Sequence, residues 1–326
     1  MIEQILQNCP QNIEIFDSFI VTSNKLEKYK AVMCSVSGGS DSDILIDILT
    51  RLGYSEKITW VWFDTGLEYQ ATKDHLDSLE KKYKIEIKRV KAVKPIPTCC
   101  RKYGQPFVSK LVSEMISRLQ RHNFTWEDGS FEELSQRFPR CKRALKWWCN
   151  DYDEGSKFNI SYNRLLKEFM IQNPPTFQIS NKCCDYAKKK VAKLEKSKGL
   201  YDLSITGVRK SEGGIRSSVY SNCFSDNSDK DEIDEYRLIF WYKDQTKQLY
   251  DDFYGVQHSK CYSQYGLKRT GCAGCPYGRD FEKELEIISK YEPKLYKAVN
   301  KIFKDTYEYT RQYKDFVKTV KQGGLK

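Results

Sequence analysis

The chain has 326 residues, of which 40% are hydrophobic and 30% are charged, and its formal net charge is +11 at pH 7. Its mean hydropathy is -0.67, and no apolar run approaches the ~20 residues that cross a bilayer. We therefore do not expect a membrane-spanning protein. The N-terminal stretch MIEQILQNCPQNIEIF lacks the basic start and apolar core of an export signal, so we predict a cytoplasmic protein without a membrane partner.

The net charge and the cysteine content indicate which partners and which chemistry to expect. A positive chain suits an anionic partner such as a nucleotide or a nucleic acid, although soluble lysine-rich helices would give the same excess. Twelve cysteines in a reducing compartment favour metal or redox chemistry over disulfide bonds.

Strand-like and helix-like segments alternate along the chain. A helical segment (1–26) is followed by the strand AVMCSV and the helix SDILIDILTRL, and the later segments are a strand at 58–66, a helix-compatible stretch from Glu68 to Lys84, and strands at 85–90 and 203–208. This alternation predicts an α/β fold with a parallel sheet and helices on both faces.

The remaining segments suggest three regions. We predict an N-terminal helical segment (1–26), an α/β nucleotide-binding domain (27–224) with a helical insertion at about 94–182, and a C-terminal region (225–326) that is helical from Asp280 onward. The acidic segment SDNSDKDEIDE at 225–235 is predicted to be a loop at the last boundary.

The first strand leads into the stretch Ser37-Gly38-Gly39-Ser40-Asp41-Ser42 before the first core helix. In a parallel sheet such a loop presents backbone N–H groups and the positive end of the helix dipole to an anion. The glycines allow close approach of phosphate, and Asp41 can cap the helix or hold a bound metal ion. An ordinary helix-capping turn would also fit these residues, whereas a Walker A loop is excluded because no Lys-[Ser/Thr] follows at its spacing.

Two cysteine groups have the spacing of metal ligands. Cys272-x-x-Cys275 suits either a structural zinc or an iron–sulfur cluster, and Cys183-Cys184 form a tandem pair. Lys188 follows Cys184 by four residues, so on an α-helix the two share a face, unless Lys188 is simply one of three solvated lysines.

The order of two motifs resembles one known superfamily. The segment SGGSDS followed by FDTGLEYQAT is similar to the pyrophosphate loop and the D-T-G segment of the phosphoadenosine phosphosulfate (PAPS) reductase branch of the PP-loop ATP pyrophosphatases. The resemblance implies an adenine nucleotide alpha hydrolase-like fold. It places the nucleotide phosphates at residues 37–42 and the adenosine near Asp64, Thr65 and Gly66.

The cysteine pattern is similar to that of the adenosine phosphosulfate (APS) reductases. This resemblance implies a 4Fe-4S cluster on Cys183, Cys184, Cys272 and Cys275, with Lys188 beside it. Cys223 and Cys261 lie between the pairs, and Cys261 is an alternative ligand or a sulfur-carrying thiol. The segment ITGVRKSEGGIRSS matches the part of the family that binds the phosphate or sulfate end, which implies this role for Arg209 and Arg216.

The reductases of this family use a nucleophilic cysteine near the C-terminus, and no cysteine follows Cys275 here. We therefore expect the reaction of the related tRNA thiolases and of the DNA phosphorothioation sulfurtransferase subunit. ATP with Mg²⁺ would activate a nucleic acid (tRNA or DNA) or a small molecule, forming AMP and pyrophosphate, and a donor protein would supply sulfur or electrons. The expected catalytic residues are Asp41, Lys188, Arg209, Arg216 and Cys261.

Two other functions remain open. One is an APS or PAPS reductase that uses another thiol such as Cys261 to form sulfite. The other is a non-catalytic sensor that binds a nucleotide and a cluster.

Overall fold

The computed structural model describes residues 2–213, 219–227, 232–278 and 280–323. The chain divides into two compact units. The first unit comprises Met1–Val93 and Lys188–Cys272, and the second comprises Lys94–Ala187 and Ala273–Lys326.

The described ranges contain the following regular elements. The strands are β1 (Val32–Ser35), β2 (Ile58–Asp64), β3 (Ile87–Lys91), β4 (Leu203–Thr206), β5 (Phe224–Ser225) and β6 (Asp234–Tyr236). The α-helices are α1 (Ile2–Gln7), α2 (Ile13–Leu26), α3 (Ser40–Arg51), α4 (Gln70–Tyr83), α5 (Ile96–Tyr103), α6 (Lys110–Gln120), α7 (Phe131–Arg137), α8 (Lys142–Trp148), α9 (Leu166–Gln172), α10 (Lys182–Cys184), α11 (Lys190–Lys196), α12 (Asp244–Tyr254), α13 (Lys260–Ser263), α14 (Phe281–Tyr291), α15 (Pro293–Ile302) and α16 (Lys304–Gly323). None of these helices is long and apolar enough to cross a membrane.

The six strands form one sheet in the order β3-β2-β1-β4-β6-β5. All neighbouring pairs are parallel except β5 with β6, which is antiparallel. The predicted α/β fold with a parallel sheet is therefore confirmed. The prediction of a loop over 225–235 was wrong at both ends, because Ser225 belongs to β5 and Asp234–Tyr236 forms a parallel strand beside β4. Residues 228–231 of this segment lie outside the described residues.

Both faces of the sheet are covered, which explains why β1 reads as a continuous apolar run. Val32 and Cys34 pack in one buried cluster with Ile15 of α2 and Ile44 of α3. On the opposite face, Met33 and Val61 pack with Tyr201.

Helix α11 lies on this second face. Lys88 is the register partner of Val61, and its ammonium donates to the buried Glu195 carboxylate of α11 at 2.6 Å.

The second unit is a helical unit with an aromatic core. Helix α16 presents Tyr309, Tyr313 and Phe316 to Phe169 of α9, with ring centroids 4.9, 5.3 and 5.6 Å apart. The spacing of four and then three residues places these rings on one face of the helix. The C-terminal helix therefore completes a core that begins more than a hundred residues earlier in the chain.

A short parallel bridge joins two connections of the second unit. The Gln105 amide donates to the Gln178 carbonyl at 2.8 Å, and the Ser180 amide donates to the Gln105 carbonyl at 2.9 Å. Gly104 precedes this bridge with a φ of +103°, and a Cβ atom there would lie 2.2 Å from the Gln178 carbonyl oxygen. Only glycine fits at this close approach.

We predict that Gly104→Ala lowers the free energy of unfolding by about 3 kcal/mol, because the backbone must move to admit the new methyl group. Gly155→Ala is the matched control, since Gly155 also has a positive φ but a Cβ atom there would meet nothing within 4 Å. The control should cost about 1 kcal/mol from its left-handed conformation alone. Urea unfolding followed by circular dichroism measures both, and equal losses would contradict the steric argument.

Candidate active site

The loop after β1 is shaped by Gly38. Its φ is +68°, and a Cβ atom at this position would lie 2.7 Å from Thr72 Cγ2 of α4. A Cβ atom on Gly39 would lie within 3.1–3.2 Å of the hydroxyl groups of Ser37, Thr270 and Tyr262. The two glycines therefore let the loop pass closely beneath α4, and α3 begins at Ser40 directly after it.

A cavity of about 780 Å³ opens at this loop in the first unit. Its walls include the loop residues Ser37, Gly39, Ser40, Asp41 and Ser42, which the sequence assigned to phosphate binding. Trp62, Phe63 and Thr65 line it from the end of β2, and Gly207 follows β4. The cavity thus lies at the carboxyl ends of parallel strands, where α/β proteins bind ligands.

Basic side chains outnumber acidic ones among the residues that line the cavity. The six basic residues are Lys188, Lys189, Arg209, Lys247, Lys268 and Arg269, and the four acidic residues are Asp41, Glu68, Glu212 and Asp244. A cavity with an excess of positive charge attracts a polyanion.

Asp41 organises two of these cations. Its Oδ1 atom lies 3.0 Å from Arg209 Nε and 2.9 Å from Lys247 Nζ, and Lys247 also donates to the Ser40 hydroxyl. Arg209 is 8% exposed and its Nη1 atom lies 2.8 Å from Asp244. Burial opposes ionisation of Arg209, but the carboxylates of Asp41 and Asp244 outweigh it and raise its pKa. Asp41 therefore anchors cations, whereas the N-cap position of α3 belongs to Gly39.

The first backbone amide of α3 donates a hydrogen bond to a side-chain hydroxyl group. The Ser40 amide donates to the Tyr262 hydroxyl at 3.2 Å, and this hydroxyl lies 3.0 Å from Thr270 Oγ1. Ser42 Oγ donates to the Gly39 carbonyl at 2.7 Å. The loop is thus held by local hydrogen bonds, with the Ser40 amide facing an oxygen atom.

A charged network lies beneath the loop. Asp43 is fully buried, and its two oxygens contact His75 Nε2 at 3.0 Å and His258 Nδ1 at 2.8 Å. His258 Nε2 also contacts Asp251 at 2.9 Å. Burial lowers the pKa of His258, but hydrogen bonds to Asp251 and Asp43 outweigh it and raise the pKa to about 9. His258 is therefore protonated at neutral pH and links α3 to α12.

The end of β2 brings a thiol and an ammonium group together. Thr65 Oγ1 donates to Glu68 at 2.5 Å and lies 3.8 Å from Cys272 Sγ. Burial raises the pKa of Cys272, and Lys188 opposes this shift through its charge and a hydrogen bond. Burial also raises the pKa of Glu68, although hydrogen bonds from Thr65 and the charge of Lys188 act to lower it. Asp64 and Gly66 form the adjacent turn, in which the Gly66 amide donates to Asp64 Oδ1 at 2.8 Å.

The second unit contains a separate group of thiols. The pKa of Cys183 is raised, first by a side-chain hydrogen bond with Cys100, and further by burial and by the charges of Cys100 and Cys275, whereas a hydrogen bond with Cys184 lowers it. No group of three or more His, Cys, Asp or Glu side chains in the described part of the chain is placed to hold a metal ion. Cys100 was not singled out by the sequence.

Other predicted residues have different surroundings. Cys261 is fully buried with its Sγ atom 3.6 Å from Thr72 Oγ1, and it does not line the cavity. Cys223 is half-buried. Arg216 lies outside the described residues. Cys184 and Lys188 do not lie on one α-helix, because the chain is π-helical over Asp185–Lys189, and the Lys188 ammonium lies beside Cys272.

Sequence reasoning missed Lys247, Tyr262, Lys268 and Arg269, which line the cavity. The pair Lys268-Arg269, two residues before the CxxC motif, was the only local signal. Lys247 lies in an ordinary amphipathic helix, and only the tertiary structure brings its side chain to the cavity.

Comparison with known proteins adds one clear finding. Residues 31–107 match the family model of the phosphoadenosine phosphosulfate reductase domain. This segment is about a quarter of the chain and contains the loop 37–42 and the turn at Thr65. No curated protein matches the sequence. A crystal structure of PAPS reductase from Candida auris, as a phosphate complex, is 11% identical, covers 78% of this chain and 87% of its own, and has a TM-score of 0.43.

The three histidines of the chain allow a direct test of the buried network. We predict that one imidazole titrates near pH 9, since the folded pKa of His258 lies above its ordinary value of 6.5. Its contribution to stability should be complete below pH 6.5 and be lost as the pH rises through 9. Histidine NMR titration measures the pKa, and unfolding at several pH values measures the loss.

His258→Gln should abolish that part of the pH dependence, whereas His122→Gln should preserve it. A wild-type His258 that titrates near 6.5 would contradict the charged network.

Proposed function

We propose that the first unit binds an adenine nucleotide by its phosphates and catalyses ATP-dependent activation followed by sulfur transfer to an acceptor. The observation that carries the proposal is the conjunction of the Gly38-Gly39 loop at the start of α3 with six basic side chains around one cavity.

The loop supplies the phosphate end of the site. A phosphate oxygen at the Ser40 amide would replace the Tyr262 hydroxyl as hydrogen-bond acceptor, and the dipole of α3 would favour its negative charge. Lys247 and Arg209 are held beside this position by Asp41. Donors that are already in place stabilise charge as it develops on a leaving pyrophosphate.

The other walls suit the nucleoside and the acceptor. Trp62 and Phe63 provide an apolar surface for a purine ring. Lys188 lies with Thr65 and Glu68 on the wall near the end of β2, where it can bind an anionic group of the acceptor. Arg216 is proposed for the same role on its sequence alone.

The proposed reaction has two steps. An acceptor oxygen attacks the α-phosphorus of ATP, and the bond to the bridging oxygen breaks, so that pyrophosphate leaves with the electron pair. A sulfide donor then attacks the adenylated carbon or phosphorus of the acceptor. The new bond to sulfur forms as the bond to the AMP oxygen breaks, and AMP leaves with the electron pair. Mg²⁺ would arrive on the phosphates, because Asp41 is already paired with Arg209 and Lys247.

We also propose a class of acceptor and a cofactor for this reaction. The net charge of +11 supports a nucleic acid as acceptor, tRNA or DNA. The thiols of the second unit have the donor chemistry of a 4Fe-4S cluster, which would supply a redox-active or sulfur-binding centre.

A sulfonucleotide reductase is the second candidate. The match of residues 31–107 to the PAPS reductase domain supports it. Cys272 and Cys261 both belong to the unit of the phosphate loop. Cys272 is half-buried beside Lys188 and Thr65, whereas Cys261 is fully buried.

We predict that Lys247→Gln weakens ATP binding at least ~10-fold, or ~1.4 kcal/mol, because it removes a cation from the phosphate end. Lys243→Gln is the matched control one turn earlier, where the side chain is 70% exposed and pairs weakly with Glu14 at 3.9 Å. Isothermal titration calorimetry measures both affinities. Equal affinities of the two variants would show that the cavity does not bind phosphates at this end.

We predict that anaerobic protein with a sulfur donor and the correct acceptor converts ATP to AMP and pyrophosphate, and that Asp41→Asn reduces the rate at least ~10-fold by releasing Arg209 and Lys247. Pyrophosphate release and product mass measure this reaction. Sulfite formation from APS or PAPS with a thiol, without pyrophosphate from ATP, would assign the protein to the reductase candidate. Nucleotide binding without turnover of either substrate would indicate a sensor.

A further inference from the structure

We propose that Cys100, Cys183, Cys184 and Cys275 are the ligands of the 4Fe-4S cluster, with Cys100 in the place that the sequence pattern gives to Cys272. The proposal rests on the cluster part of the proposed function and is independent of its nucleotide chemistry.

The backbone of the second unit fixes Cys100 and Cys183 next to each other. Helices α5 and α10, which carry these cysteines, pack together. The parallel bridge between Gln105 and Ile179 joins the chain just after α5 to the chain just before α10. Cys100 and Cys183 are 6% and 5% exposed, and their side chains hydrogen-bond to each other.

The turn that carries Cys275 is fixed against α15 and α16. A Cβ atom on Gly274 would lie 2.7 Å from the Tyr307 hydroxyl and 3.1 Å from Val299 Cβ, so the turn approaches α15 and α16 closely. The Gly274 amide donates to Glu284 at 2.9 Å, and its carbonyl accepts from Tyr307. Because α15 also packs on α5, Cys275 is brought to the side of Cys100.

Two of the four thiols, Cys100 and Cys183, are buried, and the other two, Cys184 and Cys275, are half-buried. Tyr277 is close to Cys183, Cys184 and Cys275. A protected, largely apolar site limits access of solvent and oxygen to a cluster. Each thiolate of a cubane cluster binds a different iron atom, so its ligands need not surround one ion position as those of zinc do.

Neighbouring cysteines of the same unit are already engaged elsewhere. Cys99 Sγ donates to the Lys94 carbonyl at 3.4 Å, and Cys141 Sγ donates to the Phe138 carbonyl at 3.4 Å. These two thiols point to backbone oxygens, as buried structural cysteines do. The tandem pair Cys99-Cys100 therefore contributes one ligand.

Cys272 has partners of another kind. Its thiol is near the Thr65 hydroxyl, the Glu68 carboxyl and the Lys188 ammonium, in the unit that contains the cavity. Four protein thiolates are the usual ligands of a cubane cluster, and the second unit supplies four without Cys272. Under this assignment Cys272 does not bind the cluster, and its thiol lies beside Thr65 and Lys188 of the first unit.

The test compares single serine variants of the full chain after anaerobic reconstitution with iron and sulfide. Iron and sulfide per chain and the electron paramagnetic resonance spectrum of the reduced protein are measured. We expect about four irons in the wild type, in Cys272→Ser and in the controls Cys99→Ser and Cys141→Ser, and fewer than about one in Cys100→Ser. ATP binding is measured on the same samples and should be unchanged in Cys100→Ser.

Loss of the cluster from a folded Cys272→Ser variant would overturn the proposal, and so would four irons retained in Cys100→Ser. Wild-type protein that holds stoichiometric zinc instead would also overturn it. Because Cys272→Ser changes a half-buried residue, this arm decides the question even if Cys100→Ser does not fold. Iron binding as expected in a protein that binds no ATP would refute the proposed function and leave the ligand assignment standing.

Discussion

The close approach of Gly38 to helix α4 is the constraint on which the cavity depends. Its backbone runs where a Cβ atom would be 2.7 Å from Thr72, so the chain can turn sharply between β1 and α3. This turn brings the start of α3 to the carboxyl end of the sheet and directs the Ser40 amide to the cavity wall. A wider turn would carry the helix dipole away from the basic residues that line the same space.

Helix α3 is held in this position by its own acidic residues, each of which has partners on other elements. Asp41 pairs with Lys247, Asp43 with His75 and His258, and Asp47 accepts from Tyr83 at 2.9 Å and Tyr250 at 2.7 Å. Helices α4 and α12 are thereby joined to α3 through charges that are largely removed from water. Removing one partner of such a pair leaves a buried charge unsatisfied, which costs more than the pair contributes. The loop is thus braced from beneath by polar contacts.

The sequence predicted the first four strands and the phosphate loop because each is a local pattern: an apolar run, a glycine pair and a helix start. Strand β6 was missed because Asp234 and Glu235 lie in an acidic segment and pair at the sheet only through long-range contacts. Lys247 and Tyr262 were missed for the same reason, since nothing near them in the sequence signals a site. The contact between Cys100 and Cys183 was missed, because the distance along the chain conceals that α5 and α10 are neighbours. The π-helical turn at Asp185–Lys189 likewise changes a register that spacing alone treats as α-helical.

The pairing of Asp41 with Arg209 and Lys247 has a consequence for how an anion would enter. These two cations are already desolvated and oriented by a carboxylate, so an incoming phosphate exchanges one anionic partner for another and does not have to order free side chains. Such an exchange lowers the entropic penalty of association, and it reduces the number of solution counterions that are released. The attraction would then depend less steeply on ionic strength than the total count of lysines and arginines around the cavity suggests.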